Sequence, residues 1–252
     1  MEKYINNVVQ GDCLEILKEF NDKSIDLILC DLPYQITDCK WDSLIPLDDL
    51  WKQYNRIIKD NGAIVLTASG LFTGVLMTSN TKMFKYKYVW EKSKSTNFMN
   101  AKKQPLRKHE DILVFYKKQP TYNPQMVKGK PYTRKESSKF SEGYSKVIKR
   151  SKVSDGLRYP TDILKFNTAE VGGNKIYHPS QKPIDLAQFL IKTYTNENDI
   201  VLDNACGSGS FLVAAKIEGR RYIGIDKNQD VSLHGEKIDC IQVCNERLAS
   251  IK

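Results

Sequence analysis

Three short stretches of this 252-residue chain hold residue types at spacings that could do chemistry. The first is Asp31-Leu32-Pro33-Tyr34, directly after the apolar run SIDLILC at residues 24–30. It offers two kinds of acceptor, the Asp31 carboxylate and the backbone carbonyl of Leu32 or Pro33, beside a proline that fixes the turn and carries no amide donor. Such a pair suits an exocyclic amine whose lone pair is delocalised into a ring. Accepting both of its hydrogens biases the nitrogen towards a tetrahedral, nucleophilic geometry. Tyr34 adds an aromatic face on which a base removed from a duplex can stack.

The second stretch is the turn Asp203-Asn204-Ala205-Cys206-Gly207-Ser208-Gly209-Ser210, which follows an apolar run and opens a helical pattern. Its glycines allow close backbone approach, and a helix N-terminus presents free N–H groups to a ligand. Asp226 ends the next strand-like run, placed to accept from ribose hydroxyls. A dinucleotide fingerprint would need a third glycine where Leu212 stands, so NAD is disfavoured. The third stretch, His178-Pro179-Ser180-Gln181-Lys182-Pro183, opens an amphipathic helix. Ser180 and Gln181 offer polar contacts there, and Lys182 is a cation suited to a carboxylate.

The elements that must position these stretches alternate in character. Residues 24–30 and AIVLTAS at 63–69 read as buried parallel strands, with LWKQYNRIIK at 50–59 as a helix stopped by Asn61-Gly62. KYKYVWEKS and DILVFYKK read as two strands joined by the basic loop NAKKQPLRKHE. Between 119 and 177 the apolar periodicity fades into Pro, Gly, Ser, Lys and Tyr, the composition of a recognition insert. PIDLAQFLIKTYT then resumes as a helix, followed by a strand–turn–helix–strand unit. Brändén's rule places ligands at the carboxyl ends of such strands. The expected organisation is therefore 1–118, 119–177 and 178–252, in a doubly wound α/β fold with a mostly parallel mixed sheet.

Charge sharpens the assignment of the middle segment. The net charge is +9, and residues 117–177 carry 14 Lys plus Arg against 5 Asp plus Glu, so the rest of the chain is neutral. A clustered basic excess suits a polyanion, because binding it releases counterions from phosphates. Lys149, Arg150 and Lys152 in that segment, and Lys102, Lys103, Arg107 and Lys108 in the basic loop, are the expected DNA contacts. The six cysteines and three histidines form no zinc-ligand spacing, so no metal is expected. No apolar run approaches the roughly 20 residues needed to span a bilayer, and no signal pattern opens the chain, which reads as cytoplasmic.

Together the three stretches resemble the β arrangement of DNA amino-methyltransferases found in restriction–modification systems and phages. That family orders a [DNS]-P-P-[YF] block, a target-recognition region, an H-P-[TS]-Q-K-P block and a D-x-x-x-G-x-G loop, and all four fall here in that order across essentially the whole chain. Leu32 stands where the first proline is usual. The resemblance implies S-adenosylmethionine as cofactor, double-stranded DNA as substrate, and a permuted order in which the catalytic half precedes the cofactor half. It implies Asp12, in Gly11-Asp12-Cys13-Leu14-Glu15, near the cofactor's adenine, and Asp203, Gly207 and Gly209 around its methionine part. It also implies Asp226 on the ribose, and Ser180 with Lys182 near the carboxylate. Asp31, Gln181, Ala205, Ser208 and Ser210 complete the expected cofactor contacts. Asp31 rather than serine is usual for adenine-N6 transfer, and serine would point to cytosine-N4, the alternative. A DNA-binding subunit with a degenerate cofactor site is the second alternative. Family members of this arrangement are often dimers, so a homodimer is among the expected assemblies.

Overall fold

Five short runs of apolar residues, each too short for a helix, become the parallel half of one sheet. The computed structural model describes residues 1–34, 44–133, 153–171, 175–229 and 231–251. Its first part runs β1 (Asn7–Gln10), α1 (Cys13–Leu17), β2 (Ile25–Cys30), α2 (Leu47–Ile57), β3 (Ile58–Ala68), α3 (Leu71–Ser79), β4 (Phe84–Thr96) and β5 (Arg107–Phe115). Four two-residue strands follow: β6 (Val127–Lys128), β7 (Tyr132–Thr133), β8 (Val153–Ser154) and β9 (Leu157–Arg158). Then come β10 (Ile163–Phe166), α4 (Ile184–Tyr194), β11 (Ile200–Asp203), α5 (Ser210–Ile217) and β12 (Arg221–Asp226). The chain closes with the hairpin β13 (Val231–Leu233) and β14 (Glu236–Ile238), and α6 (Cys240–Ala249).

Among the described residues the main sheet has eight strands, ordered β1-β12-β11-β2-β3-β5-β4-β10. The pairs from β1 to β3 are parallel, β5 runs antiparallel to both β3 and β4, and β10 lies parallel to β4. This is the doubly wound, mostly parallel mixed sheet that the sequence predicts. It is also permuted as expected: β11, near the end of the chain, pairs directly with β2, near its start.

Strand alternation divides the core between the two faces of the sheet. Ile28 and Cys30 pack with Leu17, Tyr54 and Phe72 of the α1–α3 side. Leu27 and Leu29 pack with Leu190 of α4, Leu212 of α5 and Leu248 of α6 on the other. Both faces are buried, so β2 reads IDLILC with no polar alternation beyond Asp26.

The structure differs from the sequence reading at three places. The helix expected at 50–59 runs from Leu47 to Ile57, and Asn61-Gly62 falls inside β3 rather than ending the helix. The reason is a shift in the β2–β3 register between Ile25 and Leu27, which takes up the extra residues of β3 and lets pairing begin at Ile58. Ile163–Phe166, assigned from the sequence to the 119–177 segment, is the eighth strand of the main sheet. Contacts divide the chain into one unit of Met1–Asn123 with Asp162–Lys252 and a second of Pro124–Thr161. In the second unit β6 pairs with β9 and β7 with β8, and Arg158 lies over the Tyr132 ring at 5.4 Å. No helix among the described residues is long and apolar enough to cross a membrane.

Candidate active site

The parallel strands end at one edge, and their last residues carry the chemistry. Asp31 follows β2, Thr67 lies near the end of β3, and Asp203 and Asp226 close β11 and β12. Asp31, Asp203 and Asp226, together with the loops that follow, open on a cavity of about 440 Å³. That volume falls within the range of small-ligand sites. All four residues of the Asp31-Leu32-Pro33-Tyr34 stretch line it, as do Ser180, Gln181 and Lys182. From the glycine turn it receives Asp203, Ala205, Gly207, Ser208 and Ser210, and from β12 Asp226.

Asp31 is the most heavily contacted group. Its Oδ2 accepts from Lys182 Nζ at 2.6 Å, while the hydroxyls of Tyr34 and Thr67 converge on Oδ1 and lie 2.8 Å from each other. A carboxylate offers about four lone-pair sites, so three donors leave one acceptor direction open. Burial and the neighbouring Asp31 charge push the Tyr34 phenol well above its ordinary value, keeping it a donor. The Tyr34 ring has Phe72 stacked 5.1 Å away. Leu32 is buried in the α1–α3 core, so packing holds the turn where a proline is usual.

Sequence reasoning missed the charges behind Asp31. Lys182 reaches Glu110 at 3.4 Å, and Glu110 accepts from Lys92 at 3.0 Å. The result is a buried chain of alternating charge, Asp31–Lys182–Glu110–Lys92. Burial alone would lower the Lys182 pKa, but Asp31 and Glu110 outweigh it and hold the ammonium above its usual range. Burial alone would raise the Glu110 pKa, yet Lys182 and Lys92 together bring it below the usual carboxylate value. Lys182 is thus already committed to two carboxylates of its own chain. The only sequence signal was a charge interrupting each strand pattern, Lys92 in VWEKS and Glu110 in HEDILVF.

The glycine turn is built differently. Asp203 is 2% exposed, and burial pushes its carboxyl up to about 8, opposed by the Cys30 thiol and the Ala205 amide. Asp226 accepts from Gly207 N and from Asn228 N, each at 2.7 Å, which fixes the loop against the end of β12. The two glycines have separate reasons. Gly207 (φ +48°) faces the cavity, where a Cβ would meet only the His178 ring at 3.7 Å. Gly209 (φ +78°) abuts α6, where a Cβ would lie 2.1 Å from Cys244 Sγ. Its smallness therefore serves helix packing. Arg247, also missed, donates to the Ser208 carbonyl and hydroxyl and lies 4.8 Å from the Tyr177 ring. His178 Nδ1 accepts from the Ser180 amide at 3.2 Å, and Gln181 Oε1 accepts from Tyr177 N at 2.8 Å, so this loop braces itself.

Two expected cofactor residues are not among those lining the cavity. The Asp12 carboxylate caps α1 through Leu14 N at 2.8 Å and pairs with Lys227 at 2.9 Å, while its neighbours Gly11 and Cys13 line the cavity. Gly209 faces α6 for the reason given above. Of the expected DNA contacts, Arg107 lines the cavity mouth, and Lys102, Lys103 and Lys108 are exposed on the β4–β5 hairpin. Lys149, Arg150 and Lys152 lie outside the described residues.

The donor set fits S-adenosylmethionine. Asp31 and Asp226 bring carboxylates to one cavity, and a cationic ligand there favours ionisation of the buried Asp203 carboxyl beside them. Asn204 accepts from Tyr54 through Oδ1, and its buried Nδ2 makes no hydrogen bond, leaving a donor at the cavity wall. No group of three metal-ligating side chains occurs among the described residues.

A family model described as DNA methylase, covering N6 and N4 methyltransferases, matches residues 25–234. A Type II methyltransferase of Moraxella bovis, M1.MboII, is 29% identical over 90% of this chain and 93% of its own. The crystal structure of the M1.HpyAVI–SAM complex superposes with a TM-score of 0.64 at 22% identity, covering 96% of this chain and 98% of that one. The cytosine-N4-specific PvuII DNA methyltransferase also gives 0.64, at 18% identity over 96% and 92%. At those identities the likeness to the two structures is one of fold.

Proposed function

Starting from a chain that belongs to the DNA methylase family and uses S-adenosylmethionine, we propose that it methylates N6 of adenine in double-stranded DNA at a specific site, within a restriction–modification setting in the cytoplasm. The observation that carries this reading is Asp31, held at the cavity by Lys182, Tyr34 and Thr67 with one acceptor direction open. When bound, the cofactor supplies an electrophilic methyl group on a sulfonium. Asp31 accepts one hydrogen of the target amine, and the carbonyl of Leu32 or Pro33 accepts the other. The nitrogen lone pair is thereby freed from the ring and directed at the methyl carbon. The base stacks against the Tyr34 ring, reached by a nucleotide turned out of the duplex. Catalysis rests on positioning and fixed charges, with no covalent enzyme intermediate.

The basic residues 117–177 and the hairpin lysines provide the phosphate contacts in this reading. Cytosine-N4 is the second reading, favoured by the fold shared with the PvuII enzyme. The intact Asp203 and Gly207 speak against a subunit with a degenerate cofactor site. Digestion of DNA treated with the protein and S-adenosylmethionine, followed by mass spectrometry of the nucleosides, tests the proposal. N6-methyladenine is the expected product; N4-methylcytosine would transfer the assignment to the second reading.

A further inference from the structure

β4 and β5 both contribute to the cavity wall, through Trp90, Lys92 and Thr96 on one strand and Arg107 and Glu110 on the other. The hairpin between them starts at Asn97, in the left-handed region at φ 72°, and turns at once into a 3-10 segment, Phe98–Asn100. This tip is tied together internally. Asn100 Nδ2 donates to Asn97 Oδ1 at 2.8 Å, and the Lys103 amide donates to the Asn100 carbonyl at 2.8 Å. So ordered a tip would be expected to bury its large apolar side chains. It does the reverse: Phe98 is 66% exposed and Met99 97%.

The surroundings say what covers them. Lys102, Lys103 and Arg107 flank the tip, are exposed, and form no ion pair among the described residues. Thr96, a cavity-lining residue, is two positions from Phe98, so at most about 7 Å of chain separates the tip from the cavity mouth. An apolar pair between unneutralised cations repels a second copy of itself and suits a polyanion with an apolar interior. Stacked bases between phosphates are such a partner.

We propose that Phe98 and Met99 form a wedge that enters the base stack at the position vacated by the target nucleotide, while Lys102, Lys103 and Arg107 hold the flanking phosphates. This rests on the reading that the base is taken out of the duplex. Unstacking and unpairing oppose extrusion, and inserted apolar side chains offset part of that cost. The wedge thus acts on base extrusion and not on transfer itself.

The test uses the full chain and an oligonucleotide duplex carrying the site found by single-molecule sequencing of DNA from expressing cells. Single-turnover methylation is measured on the paired duplex and on one with an abasic position opposite the target, where no pairing is to be broken. The double variant F98S/M99S should be slowed on the order of tenfold or more on the paired duplex. On the abasic duplex it should stay within a few-fold of wild type. Cofactor affinity should be unchanged, and F98L/M99L should recover most of the rate. Equal slowing on both duplexes, or none on either, overturns the wedge. So does a lower oligomeric state of F98S/M99S with paired-duplex kinetics intact, which would make the tip a contact between copies. If wild type methylates neither duplex, the functional reading itself fails, which is distinct from a failure confined to the variant.

Discussion

Asp203 and Asp31 follow or end neighbouring strands and face one cavity, yet their carboxyls are held by different means. Asp203 is held by neutral groups, the Ala205 amide two residues on and the Cys30 thiol of the next strand. Asp31 is held by convergence: Lys182 lies 151 positions away in the chain and Thr67 36 positions away. One side of the site is a loop that carries its own contacts, and the other is a meeting point of strands. A local loop can be altered with effects confined to ligand affinity or packing. A convergence of buried charges ties chemistry to the stability of the sheet.

Glu110→Ala should separate the two sides most sharply. It removes the carboxylate between two buried ammonium groups and should cost about 3–5 kcal/mol, as breaking a buried ion pair does. Urea denaturation measures this, and a loss below about 1 kcal/mol would mean that the charge chain contributes little. On the loop side, Gly209→Ala should cost about 1–3 kcal/mol through its clash with Cys244, the usual range for overpacking. Gly207→Ala, whose Cβ would meet only the His178 ring at 3.7 Å, should cost the fold about 1 kcal/mol for its left-handed backbone and weaken cofactor binding by more. Calorimetric titration beside thermal unfolding distinguishes the two; identical behaviour would undo the separate roles given to the glycines.

The smallest effect concerns pH. Asp203 keeps its proton up to about 8 in the cofactor-free protein. A cationic ligand favours the ionised carboxyl, so binding should release a proton. Cofactor affinity should then rise with pH through neutrality and level off near that value. The slope is bounded at tenfold, about 1.4 kcal/mol, per pH unit. Asp203→Asn should flatten the profile, and an unchanged profile would place the ligand's positive charge elsewhere.

How much was legible in the sequence follows the same division. The strand–turn–helix at 200–217 was readable because glycine, aspartate and apolar pattern all lie within one short stretch. The parallel strands were readable because burial on both faces leaves continuous apolar runs. Lys92 and Glu110 were not, since a lone charge in a strand gives no sign of which distant charge meets it. Asp12 shows the converse: its position before α1 was legible, but its cap on Leu14 and its pairing with Lys227 were not. The β3 start was misread because Asn-Gly is ordinarily a turn signal, whereas here a register shift between strands takes up the pair. The approach of Gly209 to Cys244 of α6 was not legible either, since the two lie far apart in the chain.

The separation of chemistry from cofactor holding is tested most directly on one variant, Asp31→Ala. Single-turnover transfer from S-adenosylmethionine to DNA and calorimetric cofactor affinity are measured on the same preparation. Loss of the positioned acceptor should slow transfer on the order of a hundredfold or more while affinity stays within a few-fold of wild type. Near wild-type turnover, or a loss that lies wholly in cofactor affinity, would contradict the assignment of Asp31 to the target amine.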